Sequence, residues 1–264
     1  MTQVSERRPP VLEVRRLCKT YGRVSALTDV DLEVQRGEVL AVLGNNGAGK
    51  SSLVEILAGV ERPDSGTIAV NGALARIDRP DAAHALGIAT VFQDLGLCTN
   101  MTIVENMYLG RELGGFLLDD ATMTEYAAQL LRQLYPGPFR IDAKIADLTG
   151  AERQIVAIAR SLLGDPSLVV LDEPTAALGV EQRAMVLHMI RQLRVRGISV
   201  VMVSHDLEDV VAVADRMVVL RLGRVSGVFP VRNAVPEQVR SAMSVVAAPR
   251  IGGVGLFEPL VPPR

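Results

Sequence analysis

A glycine-rich stretch that follows a short apolar run constrains this chain more than any other feature. The stretch fits the pattern G-x-x-x-x-G-K-[ST] and consists of Gly44, Asn45, Asn46, Gly47, Ala48, Gly49, Lys50, Ser51 and Ser52. The apolar run at 39–43 is typical of a buried parallel strand, and residues 51–58 place apolar side chains on one face of a helix that Gly59 ends. Because this motif requires a strand before it and a helix after it, the sequence predicts a phosphate-binding loop within an α/β fold.

The residue types in this loop suit the phosphates of a nucleotide. Its glycines allow the backbone to turn N–H groups towards an anion, and the start of the following helix adds partial positive charge. Lys50 can reach the β- and γ-phosphates, Ser51 can ligate Mg²⁺ through its hydroxyl, and Ser52 can touch the α-phosphate. The loop alone does not distinguish a kinase, a GTPase and an ATP-driven machine.

Two acidic residues, Asp172 and Glu173, come directly after a second apolar strand at 168–171. Phosphate-loop proteins hold a further ligand of Mg²⁺ on a carboxylate at the end of such a strand, so Asp172 is the predicted metal ligand. The adjacent Glu173 can polarise an attacking water. The alternative is that the two acids only cap the helix that follows.

Gln93 and His205 also end predicted buried strands, at 87–92 and 198–203. Gln93 can ligate a metal or position water, and His205 can form a hydrogen bond with a γ-phosphate. Each has a simpler interpretation as well. A single glutamine at a strand end is usually a polar surface residue, and the histidine can belong to a helix cap.

Thr149, Gly150 and Ala151 lie at the start of a predicted amphipathic helix. Thr149 is a plausible N-cap and Glu152 follows three residues later, which is the pattern of a capping box. The second interpretation is an anion site, because a hydroxyl, a glycine and free N–H groups come together at a helix start.

Tyr21 precedes a glycine turn between two alternating stretches, at 11–14 and 32–34, that predict an antiparallel β layer. An aromatic ring in this place can stack on an adenine. Taken alone, a tyrosine there is more often a core or turn residue.

The patterning divides the chain into four parts. Residues 1–10 are expected to form a flexible polar arm, and 11–94 together with 147–238 an α/β nucleotide-binding core. This core is predicted to contain a mainly parallel sheet and the antiparallel layer near the N-terminus. Residues 95–146 show helical spacing without a strand pattern, which predicts an inserted α-helical subdomain. From 239 to 264 the composition is rich in Ala, Val, Gly and Pro without a period, which predicts a poorly ordered tail.

A helix is predicted at 121–135 inside this subdomain, because apolar residues recur there at helical spacing. Met123 and Tyr126 belong to this set. We interpret both as core residues rather than as part of a cofactor site.

Composition and length narrow the possible partners and compartment. The 264 residues are enough for one large α/β unit, and a net charge of −2 gives no argument for nucleic acid as a partner. Cys18 and Cys98 are far apart and form no C-x-x-C pair, so no metal or redox site is indicated, and free thiols without a signal peptide favour the cytoplasm. Apolar runs stay well short of the roughly 18 residues of a spanning helix, so attachment to a membrane would need another protein.

The motifs described above occur in one order and at one set of spacings: the phosphate loop, Gln93, the segment 148–154, Asp172 with Glu173, and His205. Together they resemble the ATP-binding subunit of ABC transporters, over roughly residues 11–228. The resemblance implies that the protein is an ATPase with a P-loop NTPase core and that it uses ATP and Mg²⁺.

The resemblance also implies a role for each motif. Asp172 holds the metal, together with Ser51 and Gln93. Glu173 is the catalytic residue, assisted by His205 and by Gln93. Two further roles concern nucleotide binding: the segment 148–154, with Thr149, Gly150 and Ala151, is the family signature, and Tyr21 is the adenine-stacking aromatic.

The same resemblance implies an assembly. ATP would lie between two copies of the chain arranged head to tail, with the phosphate loop of one facing the signature of the other. This homodimer would work with integral-membrane permease subunits, and indirectly with an extracytoplasmic solute-binding protein. The protein would then be peripheral, on the cytoplasmic face of the cell membrane.

A narrower similarity concerns residues 91–98, 106–112 and 174–180. These segments are similar to those of monosaccharide importers of the ribose, xylose and fructose type. The predicted function is therefore to power the import of a small solute, and a sugar is the first candidate.

Three positions depart from the family pattern. The signature usually reads Ser-Gly-Gly, whereas this chain has Thr149, Gly150 and Ala151. Thr149 keeps the hydroxyl, but the methyl of Ala151 would interfere if this residue needed a positive φ. The loop after Glu173 usually ends in Leu-Asp, whereas Leu178 is followed here by Gly179, which the sugar-type relatives share. These departures leave open a nucleotide-sensing module with weak hydrolysis. A soluble ABC-type ATPase that acts in DNA repair or translation is the other alternative.

Overall fold

The computed structural model describes residues 9–115, 117–135, 137 and 139–244. The strands are β1 (Leu12–Tyr21), β2 (Val24–Val34), β3 (Val39–Leu43), β4 (Ser65–Val70), β5 (Ala73–Ala75), β6 (Ile88–Val91), β7 (Leu168–Asp172), β8 (Ser199–Ser204), β9 (Arg216–Arg221) and β10 (Arg224–Pro230). The α-helices are α1 (Lys50–Leu57), α2 (Pro80–Ala85), α3 (Ile103–Tyr108), α4 (Asp120–Leu134), α5 (Gly150–Leu162), α6 (Val180–Val195), α7 (Leu207–Val213) and α8 (Pro236–Met243).

A six-stranded sheet with the order β10-β9-β3-β8-β7-β6 forms the centre of the fold. All its neighbouring strands are parallel except β10, which pairs antiparallel with β9. Every residue of β3 and β8 is buried, which explains why both strands are nearly continuous apolar runs. Parallel strands end at one edge of a sheet, so the residues after β3, β6, β7 and β8 are brought to the same edge.

The predicted antiparallel layer is a second sheet with the order β2-β1-β4-β5. Its hairpin between β4 and β5 turns through Asn71 and Gly72, which have φ values of 54° and 84°, as a two-residue turn of this kind requires. Leu12 and Leu32 from this sheet belong to the same apolar core cluster as Leu53 of α1. The helix after the phosphate loop is thereby packed between the two sheets.

The helical subdomain consists of α3 and α4, packed on α5. Helix α4 buries Met123, Ala127, Leu131 and Leu134, so the prediction that Met123 belongs to the core is confirmed. The prediction for Tyr126 is wrong, because this side chain is 57% exposed. The buried residues of α4 form a narrow stripe, and Tyr126 lies beside that stripe, one position before Ala127 and about 100° around the helix from it.

The C-terminal part of the described chain corrects the sequence-based interpretation. Residues 239–243, expected to be poorly ordered, form the second half of α8. Val239 is fully buried in a cluster with Met217 and Val219 of β9. This packing stabilises a helix that the local sequence pattern does not predict. The predicted arm at 1–8 and the remaining tail at 245–264 lie outside the described residues. Among the helices that the structure describes, none is long and apolar enough to cross a membrane.

Candidate nucleotide-binding site

The loop between β3 and α1 closes around the side chain of its own lysine. Lys50 is buried, and its Nζ atom donates hydrogen bonds to the carbonyl oxygens of Gly44 at 2.7 Å and Asn45 at 3.3 Å. Gly47 and Gly49 have φ values of 78° and 102°, in the left-handed region that favours glycine. The ammonium group is therefore held inside the loop, at the N-terminal end of α1, where an anion is favoured.

Close backbone packing fixes this loop from two sides. A Cβ atom on Gly44 would lie 2.6 Å from the carbonyl oxygen of Leu220 in β9, so no larger residue fits there without a shift. The Ala48 carbonyl accepts a hydrogen bond of 3.0 Å from the N–H of Gly223, in the turn between β9 and β10. The loop is thus supported by the β9–β10 hairpin rather than by its own short sequence.

Glu173 connects the loop lysine with the predicted histidine. One carboxylate oxygen lies 3.6 Å from Lys50 Nζ, and the other lies 2.8 Å from His205 Nδ1. The backbone of Glu173 has a φ of 49°, which is uncommon for a residue other than glycine, and its N–H donates to the carbonyl of Val203 in β8. This left-handed turn after β7 directs the carboxylate towards Lys50 of α1 on one side and towards His205, which follows the neighbouring strand β8, on the other.

Asp172, the last residue of β7, lies in a negative environment. Burial raises the pKa of its carboxyl above the ordinary value, the neighbouring charge of Glu173 raises it further, and Lys50 acts in the opposite direction. A bound cation would reduce the repulsion between these two carboxylates.

A cleft of about 410 Å³ brings most of the predicted site residues together. Its walls consist of Val24, Ser25, Ala26, Asn45, Asn46, Gly47, Ala48, Gly49, Lys50, Ser51, Ser52, Gln93, Asp172 and Glu173. His205 joins this group through its contact with Glu173. No sequence pattern indicated Val24, Ser25 and Ala26 as walls of the cleft, because their contribution depends on how the second sheet packs against the loop.

The segment predicted to be the family signature, residues 148–154, lies at the start of α5. Thr149 caps α5 with the predicted capping box: its hydroxyl accepts from the N–H of Glu152 at 3.3 Å, and the Glu152 carboxylate accepts from the N–H of Thr149 at 2.7 Å. Ala151 is helical, and its methyl is buried in the core, so this residue does not require the positive φ considered above. In the part of the chain that the structure describes, Thr149, Gly150 and Ala151 are not walls of the phosphate-loop cleft.

Tyr21 ends β1 beside the cleft. Its hydroxyl donates a hydrogen bond of 3.1 Å to the carboxylate of Glu55 in α1, one helical turn after Ser52, a wall of the cleft. The residue is 39% exposed, so part of the ring remains accessible. Tyr21 itself is not one of the residues that form the cleft's described walls.

Comparison with known proteins identifies the family of this chain. The sequence profile of a family described as "ABC transporter" matches residues 27–176, more than half of the chain. The chain belongs to the ABC transporter family. The predicted family and fold class are confirmed.

Several members of the family are similar over most of the chain. The fructose import ATP-binding protein FrcA of Rhizobium meliloti is 41% identical over 81% of this chain and 86% of its own length. The xylose/arabinose import ATP-binding protein XylG of Sulfolobus acidocaldarius is 38% identical over 94% of this chain and 98% of its own. The ribose import ATP-binding protein RbsA 2 of Rhizobium meliloti is 38% identical over 87% of this chain but only 45% of its own, so this ABC chain spans about half of that relative.

Solved structures of ABC cassettes share the fold. The ADP conformation of MJ1267, an ATP-binding cassette of an ABC transporter, aligns with a TM-score of 0.79 at 24% identity, over 88% of this chain and 98% of that one. The structure of cbiO1 from Clostridium perfringens, part of the ABC transporter complex cbiONQ, aligns with a TM-score of 0.76 at 25% identity, over 88% and 93%. The α/β core with its antiparallel layer is therefore the fold of an ABC cassette.

An ion-pair network behind the ABC site was missed by the sequence reasoning. Arg183 of α6 contacts the carboxylates of Asp206 at 2.6 Å and Asp209 at 3.4 Å. Asp206 directly follows His205 and caps α7. The network therefore ties α6 and α7 to the end of β8, where the histidine leaves the sheet. The only sequence signal was an aspartate in front of a short apolar stretch, which resembles any N-cap.

Proposed function

We propose that this chain is the ATPase subunit of an importer, which binds ATP with Mg²⁺, hydrolyses it, and powers the uptake of a small solute, a sugar. The observation that carries the proposal is the cluster of Lys50, Glu173 and His205 beside the phosphate loop. It occurs in a chain that is 38–41% identical to import ATP-binding proteins named for fructose, xylose with arabinose, and ribose. Those names do not favour the alternative of a soluble ABC-type ATPase outside transport.

The loop residues 44–52 are assigned to the phosphates. Their N–H groups and the start of α1 attract negative charge, and Lys50 supplies a full positive charge to the β- and γ-phosphates. Because Lys50 now bonds to two loop carbonyls, it is already held at the place where the phosphates would lie. Binding then exchanges those two bonds for phosphate contacts.

The donor set of the cleft fits Mg²⁺. Ser51, Gln93 and Asp172 offer hydroxyl, amide and carboxylate oxygens in one cleft, and oxygen ligands are those that this ion prefers. Burial raises the pKa of Asp172, and the negative charge of Glu173 raises it further; a cation would compensate that charge. When bound, Mg²⁺ would neutralise charge on the phosphates.

Glu173 is assigned as the base that polarises the attacking water. Its carboxylate is held between Lys50 and His205, so it is fixed in direction before a nucleotide arrives. His205 is exposed enough to exchange its bond with Glu173 for one with a γ-phosphate. Gln93, at the end of β6, can orient the water or the metal from the other side of the cleft.

The separation between the cleft and the signature supports a head-to-tail homodimer. The N-terminus of α5 carries free N–H groups and the hydroxyl of Thr149, which suit a γ-phosphate, yet it is not a wall of the cleft in the same chain. A second copy can bring its α5 to the nucleotide. Loss of the γ-phosphate then removes the shared ligand, and the dimer opens.

A groove beside Gln93 is the proposed contact for permease subunits. It has a volume of about 550 Å³ and is lined by α2, β6, α3 and α5, with Phe92 next to Gln93. Arg160 of α5 donates to the carbonyls of Leu95 and Gly96, which ties the segment after Gln93 to the helix on which α3 and α4 pack. The nucleotide-binding core would then consist of residues 11–94 and 147–238. The helical subdomain, residues 95–146, would transmit its movement to the permease. The protein would be peripheral on the cytoplasmic face of the membrane, with a solute-binding protein acting through the permease.

The test is sugar uptake by cells that lack the chain. We expect uptake of labelled ribose, xylose or fructose to fall and to be restored by the wild-type chain. The Lys50→Ala variant, produced at the same level, should not restore it. Unchanged uptake of all three sugars, together with copurification of ribosomes instead of a membrane complex, would support the soluble alternative.

A further inference from the structure

The ammonium group of Lys19 lies over the ring of Tyr21. Its Nζ atom is 5.0 Å from the ring centroid, within the range of a cation–π contact. Lys19 is only 8% exposed, although lysine side chains normally extend into water. The cation is therefore held against the ring and does not sample the solvent freely.

Two oxygen atoms hold the ammonium group in this place. Nζ donates to the carboxylate of Glu61 at 2.7 Å and to the carbonyl of Arg62 at 2.8 Å, both in the segment that follows α1. The hydrogen bond with Glu61 raises the pKa of Lys19, so the group carries its charge throughout the neutral range. The N–H of Thr20 donates to Asp64 at 2.7 Å and fixes the backbone between Lys19 and Tyr21.

Tyr21 is fixed at its other end by α1. Its hydroxyl bonds to Glu55, so the ring is held at one face by the ammonium group and at its edge by the carboxylate. Lys19 occupies one face of the ring and 39% of the residue is exposed, so the opposite face is the one we consider for a ligand. Glu55, the partner of the Tyr21 hydroxyl, lies one helical turn after Ser52, a wall of the phosphate-loop cleft.

We propose that Lys19 is a positioning residue for base recognition, which presents the open face of Tyr21 to the purine ring of the nucleotide. The proposal rests on the nucleotide-binding function proposed above and extends it to a residue outside the cleft. A cation on one face draws electron density from the ring, which lowers its repulsion towards the electron-rich face of a purine. A ring that is already fixed also loses little freedom on binding. Lys19 acts on the base alone, and the phosphates are bound elsewhere.

The experiment compares two ligands that differ in the base. Affinities for ATP and for inorganic tripolyphosphate are measured in the full chain with Mg²⁺, for the wild type and for Lys19→Met, Lys19→Arg, Glu61→Gln and Tyr21→Ala. We expect Lys19→Met to weaken ATP binding roughly threefold to tenfold and to leave tripolyphosphate binding unchanged. Lys19→Arg retains a cation over the ring and should restore ATP binding. Glu61→Gln is the matched control, since it removes the ion pair but keeps the lysine and a hydrogen-bond acceptor.

A spectroscopic reporter can separate ring position from affinity. The chain contains no tryptophan, so Tyr21→Trp introduces a single one at the ring itself. Stacking on adenine should quench its fluorescence, and Lys19→Met in this background should reduce the quenching at saturating ATP. Lys19→Arg should recover it.

The outcomes are distinguishable. If Tyr21→Ala weakens ATP binding and Lys19→Met does not, Lys19 has no positioning role, although base stacking and the proposed function stand. If Lys19→Met weakens the binding of ATP and of tripolyphosphate equally, the lysine acts only on the local structure and the proposal is wrong. If no variant changes ATP affinity, the base does not contact Tyr21, and both this proposal and the adenine-stacking role fail.

Discussion

The carboxylate of Glu173 lies 2.8 Å from Nδ1 of His205, although 31 residues separate them in the sequence. The contact exists because β7 and β8 are parallel neighbours, so that the residues after them leave the sheet at the same edge. It joins the proposed base of the reaction to the proposed sensor of the γ-phosphate. The chemistry at one residue and the conformation at the other are therefore coupled before a nucleotide binds.

The first prediction concerns Glu173→Gln. The amide keeps the size of the side chain and a hydrogen bond with His205, but it cannot accept a proton from water. We expect ATP affinity within about a factor of two of the wild type and turnover reduced by roughly a hundredfold or more. Because ATP then stays bound, the variant should form a dimer that persists during size-exclusion chromatography with Mg²⁺ and ATP. Turnover close to the wild type would remove Glu173 from its assigned role.

The second prediction concerns the unusual signature residue Ala151. Its methyl is buried in the core and its backbone is helical, so Ala151→Gly should not improve contact with a phosphate. We expect turnover within about a factor of two of the wild type and a loss of about 1–2 kcal/mol in the free energy of unfolding. Steady-state ATPase assays and urea unfolding measure the two quantities. A large gain in turnover would instead support the view that the alanine weakens hydrolysis.

Local patterns were enough to predict most of the fold. The buried strands at 39–43 and 168–171 are nearly continuous apolar runs, and their burial on both faces is what such runs indicate. The turn at Asn71 and Gly72 was predictable because few other residue pairs adopt its positive φ values. The capping box at Thr149 follows from spacing alone.

Features that depend on tertiary packing were not predictable in this way. Val239 is one valine among polar residues, and its burial against β9 depends on packing that the local sequence does not show. Tyr126 has helical spacing with buried residues, but the width of the buried stripe is set by the helix packed against it. The cation over Tyr21 depends on Glu61 and Arg62, more than 40 residues away in the chain.

The third prediction concerns α8. The carbonyl of Met243, at its end, accepts a hydrogen bond of 3.2 Å from the side chain of Asn45 in the phosphate loop. Val239→Asp places an unpaired carboxylate in the cluster under α8, so we expect the helix to detach and the loop to lose this support. Hydrogen exchange at residues 45–48 should become faster and the melting temperature should fall. Gln238→Asp, on the exposed side of α8, is the control and should change neither quantity.

The final prediction concerns two aspartates that share Arg183 but differ in their surroundings. Burial alone would raise the pKa of Asp206, yet the N–H groups of Glu208 and Asp209 and the guanidinium of Arg183 outweigh it, so the pKa is lowered. For Asp209, burial dominates and the pKa is raised. The ionised form of Asp206 therefore stabilises the fold, whereas the ionised form of Asp209 is disfavoured by it.

Replacing each aspartate by asparagine should accordingly have opposite pH dependences. A lowered folded pKa contributes stability above the unfolded pKa, so Asp206→Asn should cost roughly 1 kcal/mol at pH 7, and this loss should vanish as the pH falls below the ordinary aspartate value of about 3.9. Asparagine remains a good N-cap, so the change isolates the charge. For Asp209 the pKa is higher in the folded than in the unfolded state, so its ionised carboxylate lowers the free energy of unfolding at neutral pH. Asp209→Asn should therefore be neutral or stabilising at pH 7, and this gain in stability should disappear in acid. Urea unfolding at pH 7 and at about pH 2.5, below the ordinary aspartate pKa, measures both variants, and equal losses at the two pH values would show that packing, not charge, governs this network.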